Sequence, residues 1–163
     1  MPPTEATLIR LHTDYAISAY RFAWSVTKDE SLAQEVVQEL FLKIARDASV
    51  ITAAQCERAV IFTLTRNLSL DALRRHTTRE KAHQSHADEL PTWFEPDAGH
   101  HAEEITAALA TLPEDQRSVI HLHIWEELSF REIGEMLATP TQTIASRYRY
   151  GLEKLRTQKH MLV

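Results

Sequence analysis

Thr141, Gln142, Thr143, Ser146, Arg147, Arg149 and Tyr150 stand within ten residues near the C-terminus. These side chains share one chemistry, hydrogen bonding to flat polar edges and to phosphate oxygens. Gln pairs bidentately with adenine, Arg with guanine, and Thr or Ser reaches either a base or a phosphate. Arg147, Arg149, Lys154, Arg156 and Lys159 add the positive charge that phosphate neutralisation needs. A second cluster, Arg66, Asn67, Arg74 and Arg75 around Asp71, holds Asn and Arg types that bond to and stack on unpaired bases. Both clusters also fit a blander reading, a charged helix face in water and a basic helix end favoured by the helix dipole.

Other chemistries find less support. His83 with His86, His100 with His101, and His121 with His123 invite a metal reading. Zinc sites take four fixed ligands, commonly with Cys, and Cys56 is the chain's one cysteine. His121 and His123 lie two apart and leave a helix in different directions, so the His residues are expected to be solvated or partly packed. No Ser, Cys or carboxylate pair comes with an evident base and orienting partner. The residues therefore nominate no catalytic group, no metal and no cofactor.

The elements that must position these residues are helical. Leu8, Leu11, Tyr15, Phe22 and Val26 recur at helical spacing. Lys28-Asp29-Glu30-Ser31 interrupts, with Asp29 or Ser31 able to cap the next helix, which carries Leu32, Val36, Leu40 and Ile44. Ala48–Gln55 reads as a short connection, and a third helix is predicted from about Cys56 to Arg75, with Ile61, Leu64, Leu68 and Ala72 inward. From about Thr77 to His101 periodicity fades among Pro91, Pro96, Gly99 and acids, as in a linker. Trp93-Phe94 within it suits docking on a surface as well as packing on a neighbouring helix. Ile105, Leu109 and Leu112 form a short stripe before Pro113, and a helix is expected over Glu114–Glu127. Ser129 with Glu132, and Thr139 with Gln142, match the capping-box pattern. They open helices predicted at about Phe130–Leu137 and Pro140–His160, whose tight turn has helix-turn-helix proportions. In that motif the second helix enters the major groove.

The expected architecture is all-α, with two small helical bundles on a flexible linker, bounded at 1–80, 81–101 and 102–163. The chain's 163 residues suit one ordinary domain or two small ones, and 44% hydrophobic residues rule out disorder throughout. Three glycines exclude a glycine-rich phosphate loop. A single Cys excludes an intrachain disulfide. No apolar run approaches the ~18 residues of a membrane span and no secretory signal is visible, so the expected location is the cytoplasm. The net charge of −5 argues against a nonspecific nucleic-acid coat, yet it conceals a pattern. Arg58–Lys81 has six bases against two acids, and Gln142–Val163 five bases against Glu153 alone. Between them, Asp88–Asp115 has eight acids and no Lys or Arg.

Three blocks, in order and spacing, resemble the extracytoplasmic-function sigma factors of the sigma-70 family. Leu32-Ala33-Gln34-Glu35-Val36-Val37-Gln38-Glu39-Leu40-Phe41-Leu42 is similar to the family's core-polymerase-binding helix in region 2. Thr65-Arg66-Asn67-Leu68-Ser69-Leu70-Asp71-Ala72-Leu73-Arg74-Arg75 is similar to the helix that opens the minus-ten promoter element. Leu112–Arg117, Leu128–Ile133 and Leu152–Arg156 together resemble region 4, which reads the minus-thirty-five element. The resemblance spans nearly the whole chain.

It implies that Glu35, Gln38, Glu39, Phe41 and Leu42 dock on the clamp coiled coil of the polymerase β′ subunit. It assigns Asn67, Asp71, Arg74 and Arg75 to promoter melting, and the segment near Ala48–Cys56 to base capture. It assigns Arg131, Thr141, Gln142, Thr143, Ser146 and Arg147 to duplex DNA, beside Arg149 and Tyr150 from the residue reading. It also implies an anti-sigma partner or domain closure restraining the free protein. Departures from the pattern are local. Ala138 and Thr139 stand where the family often has Gly and an apolar residue, and Tyr150 replaces a commonly basic one. Gln142 and Ala145 stand where many members have Gly and a base, and Ile44-Ala45-Arg46 where Trp is frequent. Two rival functions use the same residues: a stand-alone helix-turn-helix regulator, and a sigma-like protein-interaction module.

Overall fold

Thr4 opens the first helix by accepting the Thr7 amide, and Lys28 closes it in the left-handed region, φ 54°. A computed structural model describes residues 2–52, 56–79, 105 and 107–161, with side chains of 52, 79 and 159–161 excluded. By contacts the chain divides into two units, Met1–Asp88 and Glu89–Val163. The expected linker at 81–101, with Trp93-Phe94 and four of the His residues singled out above, lies outside the described residues. Among the described residues all regular structure is helical.

In the first unit, α1 (Glu5–Thr27), α2 (Glu30–Arg46) and α4 (Glu57–Arg79) pack on one another, and α3 (Ser49–Thr52) sits against α4. Asp29 is the cap of α2, accepting the Leu32 amide at 3.0 Å. The predicted stripe Leu32, Val36, Leu40 and Ile44 is buried throughout. It meets Leu11, Phe22 and Val26 of α1 and Ile61, Phe62, Leu68 and Ala72 of α4 in one core. Phe22 and Phe62 meet edge to face at 5.7 Å. Two expectations need correction. The segment after Ala48 is a helical turn rather than a plain connection, started by Asp47, which accepts the Ser49 amide, and anchored by buried Ile51. The third major helix runs to Arg79, past the expected end at Arg75, with Thr77 and Thr78 donating back to the carbonyls of Leu73 and Arg74.

In the second unit, helical residues 107–110 precede α5 (Glu114–Ile124), α6 (Phe130–Met136) and α7 (Thr141–Met161). The core is Leu112, Val119, Ile120, Leu122, Leu128, Ile133 and Ile144. Of the short stripe expected before Pro113 only Leu112 is fully buried; Ile105 is 49% exposed. α5 stops three residues short of the expected Glu127, because Glu127 turns left-handed (φ 56°) and the Leu128 amide returns to the Leu122 carbonyl. Ser129 and Glu132 form the capping box that opens α6. The second expected box does not form. The Thr139 hydroxyl donates to the Leu137 carbonyl instead, and α7 begins after Pro140, whose carbonyl accepts the Thr143 and Ile144 amides.

A candidate nucleic-acid and polymerase interface

The turn between α6 and α7 is built by two small residues. Ala138 holds φ 50° there. Gly134 lets the turn close on α6: a Cβ at 134 would lie 2.7 Å from the Thr139 carbonyl oxygen, and the Thr139 amide donates to the Gly134 carbonyl at 2.8 Å. α7 then packs on α5, where Gly151 admits the Ile120 side chain to within 2.5 Å of an imagined Cβ. Tyr148 faces inward against Phe130 and His123, with ring centroids 5.2 and 4.9 Å away. With these faces committed to packing, helical geometry fixes what remains outside. Gln142, Ser146 and Arg149 lie opposite buried Ile144, and Thr143, Arg147 and Tyr150 form an adjoining flank. Thr141, Gln142, Thr143, Arg149 and Tyr150 are exposed, whereas Ser146 and Arg147 are half-buried. Arg149 lies over the Tyr150 ring at 5.3 Å. Arg131 on α6 is exposed beside Glu135.

Sequence reasoning missed Asp115, which pairs with Arg147 at 3.5 Å across the α5–α7 packing. It also missed the structural role of Arg117, buried at 4% exposure and donating to the Leu112 carbonyl at 2.6 Å. Burial lowers the Arg117 pKa. The two nearby histidines have packing positions. His121, expected to be at most partly packed, is fully buried, 3.4 Å from the Glu126 carboxylate and stacked on Trp125. His123 Nδ1 bonds the Leu128 carbonyl. Among the described residues no group of three or more His, Cys, Asp or Glu converges as a metal site.

The first unit carries two more surfaces. Asn67, Asp71, Arg74 and Arg75 share one exposed stripe of α4, with Arg74 paired to Asp71. Glu35, Gln38, Glu39 and Leu42 share a stripe of α2, where Leu42 is 55% exposed. Arg75 and Glu39 join the two stripes at 3.3 Å, an exposed pair worth little to stability. Phe41 stands beside its stripe in an open apolar groove of about 680 Å³. Leu8, Ile9 and His12 of α1 line the other wall, and the His12 and Phe41 rings lie 5.0 Å apart. The α1 wall was not foreseen; Leu8-Ile9 are adjacent apolar residues, and only one can belong to the inward stripe. Of the segment expected to capture a base, 53–55 lie outside the described residues.

The arrangement defines a two-unit helix-turn-helix protein with separate polar and apolar surfaces. The family model described as Sigma-70, region 4 matches residues 108–157. The ECF RNA polymerase sigma factor SigL of Mycobacterium tuberculosis is 31% identical over 157 residues, covering 93% of this chain and 89% of that protein. The RNA polymerase sigma factor SigV of Bacillus subtilis is 25% identical, covering 95% and 92%. The sigma factor RpoE, solved with the anti-sigma factor NepR from Bartonella quintana, shares the fold. Its TM-score is 0.72 at 21% identity, over 91% of this chain and 93% of that one. CnrH, solved with the cytosolic domain of CnrY, gives 0.72 at 18%, over 97% and 90%. The chain belongs to the extracytoplasmic-function RNA polymerase sigma factors. Its function is that of a sigma factor, promoter recognition at transcription initiation.

Proposed function

We propose that the work of a sigma factor is divided between the two units. The first grips core polymerase and opens the minus-ten element; the second reads the minus-thirty-five duplex. In the first, Glu35, Gln38, Glu39, Phe41 and Leu42 meet the β′ clamp coiled coil, with the groove against α1 receiving apolar side chains. The stripe Asn67, Asp71, Arg74 and Arg75 holds bases as they unpair. Strand opening draws on binding energy to unpaired bases, and no covalent step is catalysed. In the second unit Arg131, Thr141, Gln142, Thr143, Ser146, Arg147, Arg149 and Tyr150 face the duplex. The observation that carries this reading is the exposed polar N-terminal half of α7, set after a tight turn and left outside when its other face packs on α5 and α6.

Among the described residues no helix is long and apolar enough to cross a membrane, which suits work beside the chromosome in the cytoplasm. An anti-sigma protein restraining the free chain is a further partner on this reading; the relative RpoE was solved with one, NepR. The test is co-purification with core polymerase from the encoding bacterium, compared with band shifts of the free chain on duplex DNA. The reading expects strong polymerase binding and weak free duplex binding. Leu42→Ala is expected to weaken polymerase binding by about 5–30-fold, as for a modest anchor. Tight, specific duplex binding by the free chain with no polymerase retained would support a stand-alone regulator instead.

A further inference from the structure

Asp115 sits in the first turn of α5 with both carboxylate oxygens engaged. Oδ1 accepts the Gln116 amide at 3.0 Å, and Oδ2 lies 3.5 Å from Arg147 Nε. Arg147 precedes Gly151 by one turn of α7, so its stem leaves the helix beside the face that closes on Gln116 and Ile120. The side chains of Arg147 and Asp115 are 28% and 47% exposed, so their attraction is screened and adds little to folding. Its consequence is geometric. A guanidinium is a rigid planar fork, and a carboxylate at Nε limits its rotation while leaving its two terminal nitrogens to donate side by side. Among the described residues neither terminal nitrogen has a protein partner. Paired parallel donors match the O6 and N7 acceptors of guanine.

We infer that Asp115 is a positioning residue for sequence reading, aiming Arg147 at one guanine in the upstream duplex. The inference rests on α7 being the duplex-reading helix. It separates specificity from affinity, because Asp115 is itself an acid, and its loss removes a negative charge from the unit that would bind phosphates. Its removal relaxes base choice at the position Arg147 reads and does not weaken binding to arbitrary duplex.

Holoenzyme assembled from the full chain and core polymerase is used to select from a duplex pool randomised across the upstream element. Wild type, Asp115→Ala, Asp115→Glu, Arg147→Ala and the Asp115→Ala/Arg147→Ala double variant are compared, with urea unfolding of each as a check on folding. Arg147→Ala is expected to lose preference for guanine at one position. Asp115→Ala is expected to lose roughly 3–10-fold of preference at that same position, with affinity for unselected duplex equal to wild type or higher. The double variant should match Arg147→Ala, and Asp115→Glu should recover part of the preference. The inference is overturned if Asp115→Ala keeps the wild-type profile, or if it changes affinity for all sequences by one factor. A wild-type holoenzyme that selects nothing upstream would overturn the reading of α7 as well, so the two failures are distinguishable.

Discussion

Ala138 is a residue whose type and backbone disagree. A left-handed conformation costs an L-residue with a Cβ roughly 1–2 kcal/mol, part of which Gly gives back through its freer unfolded chain. Ala138→Gly is therefore expected to stabilise the protein by about 0.5–1 kcal/mol, read as a higher urea midpoint at unchanged slope. The departure from Gly was visible in the sequence; that the chain keeps the left-handed turn anyway was not, because the turn is imposed by Gly134 and Thr139 across it. On α7, Gln142 stands on the outermost face and is exposed. Gln142→Ala is expected to cost about 1–3 kcal/mol of binding at one base pair and to relax preference there, measured by competition between single-base promoter variants. Residue types alone nominated Gln142, Arg147 and Arg149 equally. They could not say that Arg147 is half-buried beside Asp115, because its partner lies on another helix.

At the scale of elements, the second unit depends on two close approaches and one buried cation. Gly134→Ala pushes a Cβ against a carbonyl oxygen that cannot rotate away, so the α6–α7 turn must open. It is expected to cost about 1–3 kcal/mol, the usual range for overpacking, and to lower upstream-duplex binding in proportion. Arg117→Met leaves the Leu112 carbonyl without its donor and should cost about 1–3 kcal/mol in urea unfolding, without altering base preference. In the first unit, Glu57 ties α4 to α1. Arg10 meets its carboxylate at 2.6 and 3.2 Å and the Tyr15 hydroxyl donates to it at 3.0 Å. The bond from Arg10, then that from Tyr15, hold the Glu57 carboxyl below its ordinary value of 4.5. Its stabilisation is thus complete above that value and disappears as pH falls through the lower folded one. Glu57→Gln is expected to lower stability near neutrality and to flatten the acid limb of a stability-against-pH profile, with the variant and wild type converging as pH falls below the folded value. Three main helices of the first unit were readable from their apolar period. Their ends were less so, since the end of α4 and the turn at Ser49–Thr52 are set by side-chain bonds to the backbone that leave no periodic mark.

For the whole molecule, the acidic total conceals basic stripes on α4 and α7, the elements assigned to DNA. The α2 stripe assigned to polymerase is acidic and apolar instead. That division was legible because charge varies along the chain and each helix gathers its own segment. The groove between α1 and α2 was not, because it joins residues about 30 positions apart that no local pattern connects. Together these surfaces are proposed to let core polymerase begin transcription at chosen sites. Transcription reconstituted from purified core polymerase and this chain, on genomic DNA of the same bacterium with start sites sequenced, tests this most directly. Starts that share upstream and minus-ten sequences, absent with core alone and shifted by Gln142→Ala, are the predicted result. Starts identical with and without the chain, although it remains bound to polymerase, would contradict the account.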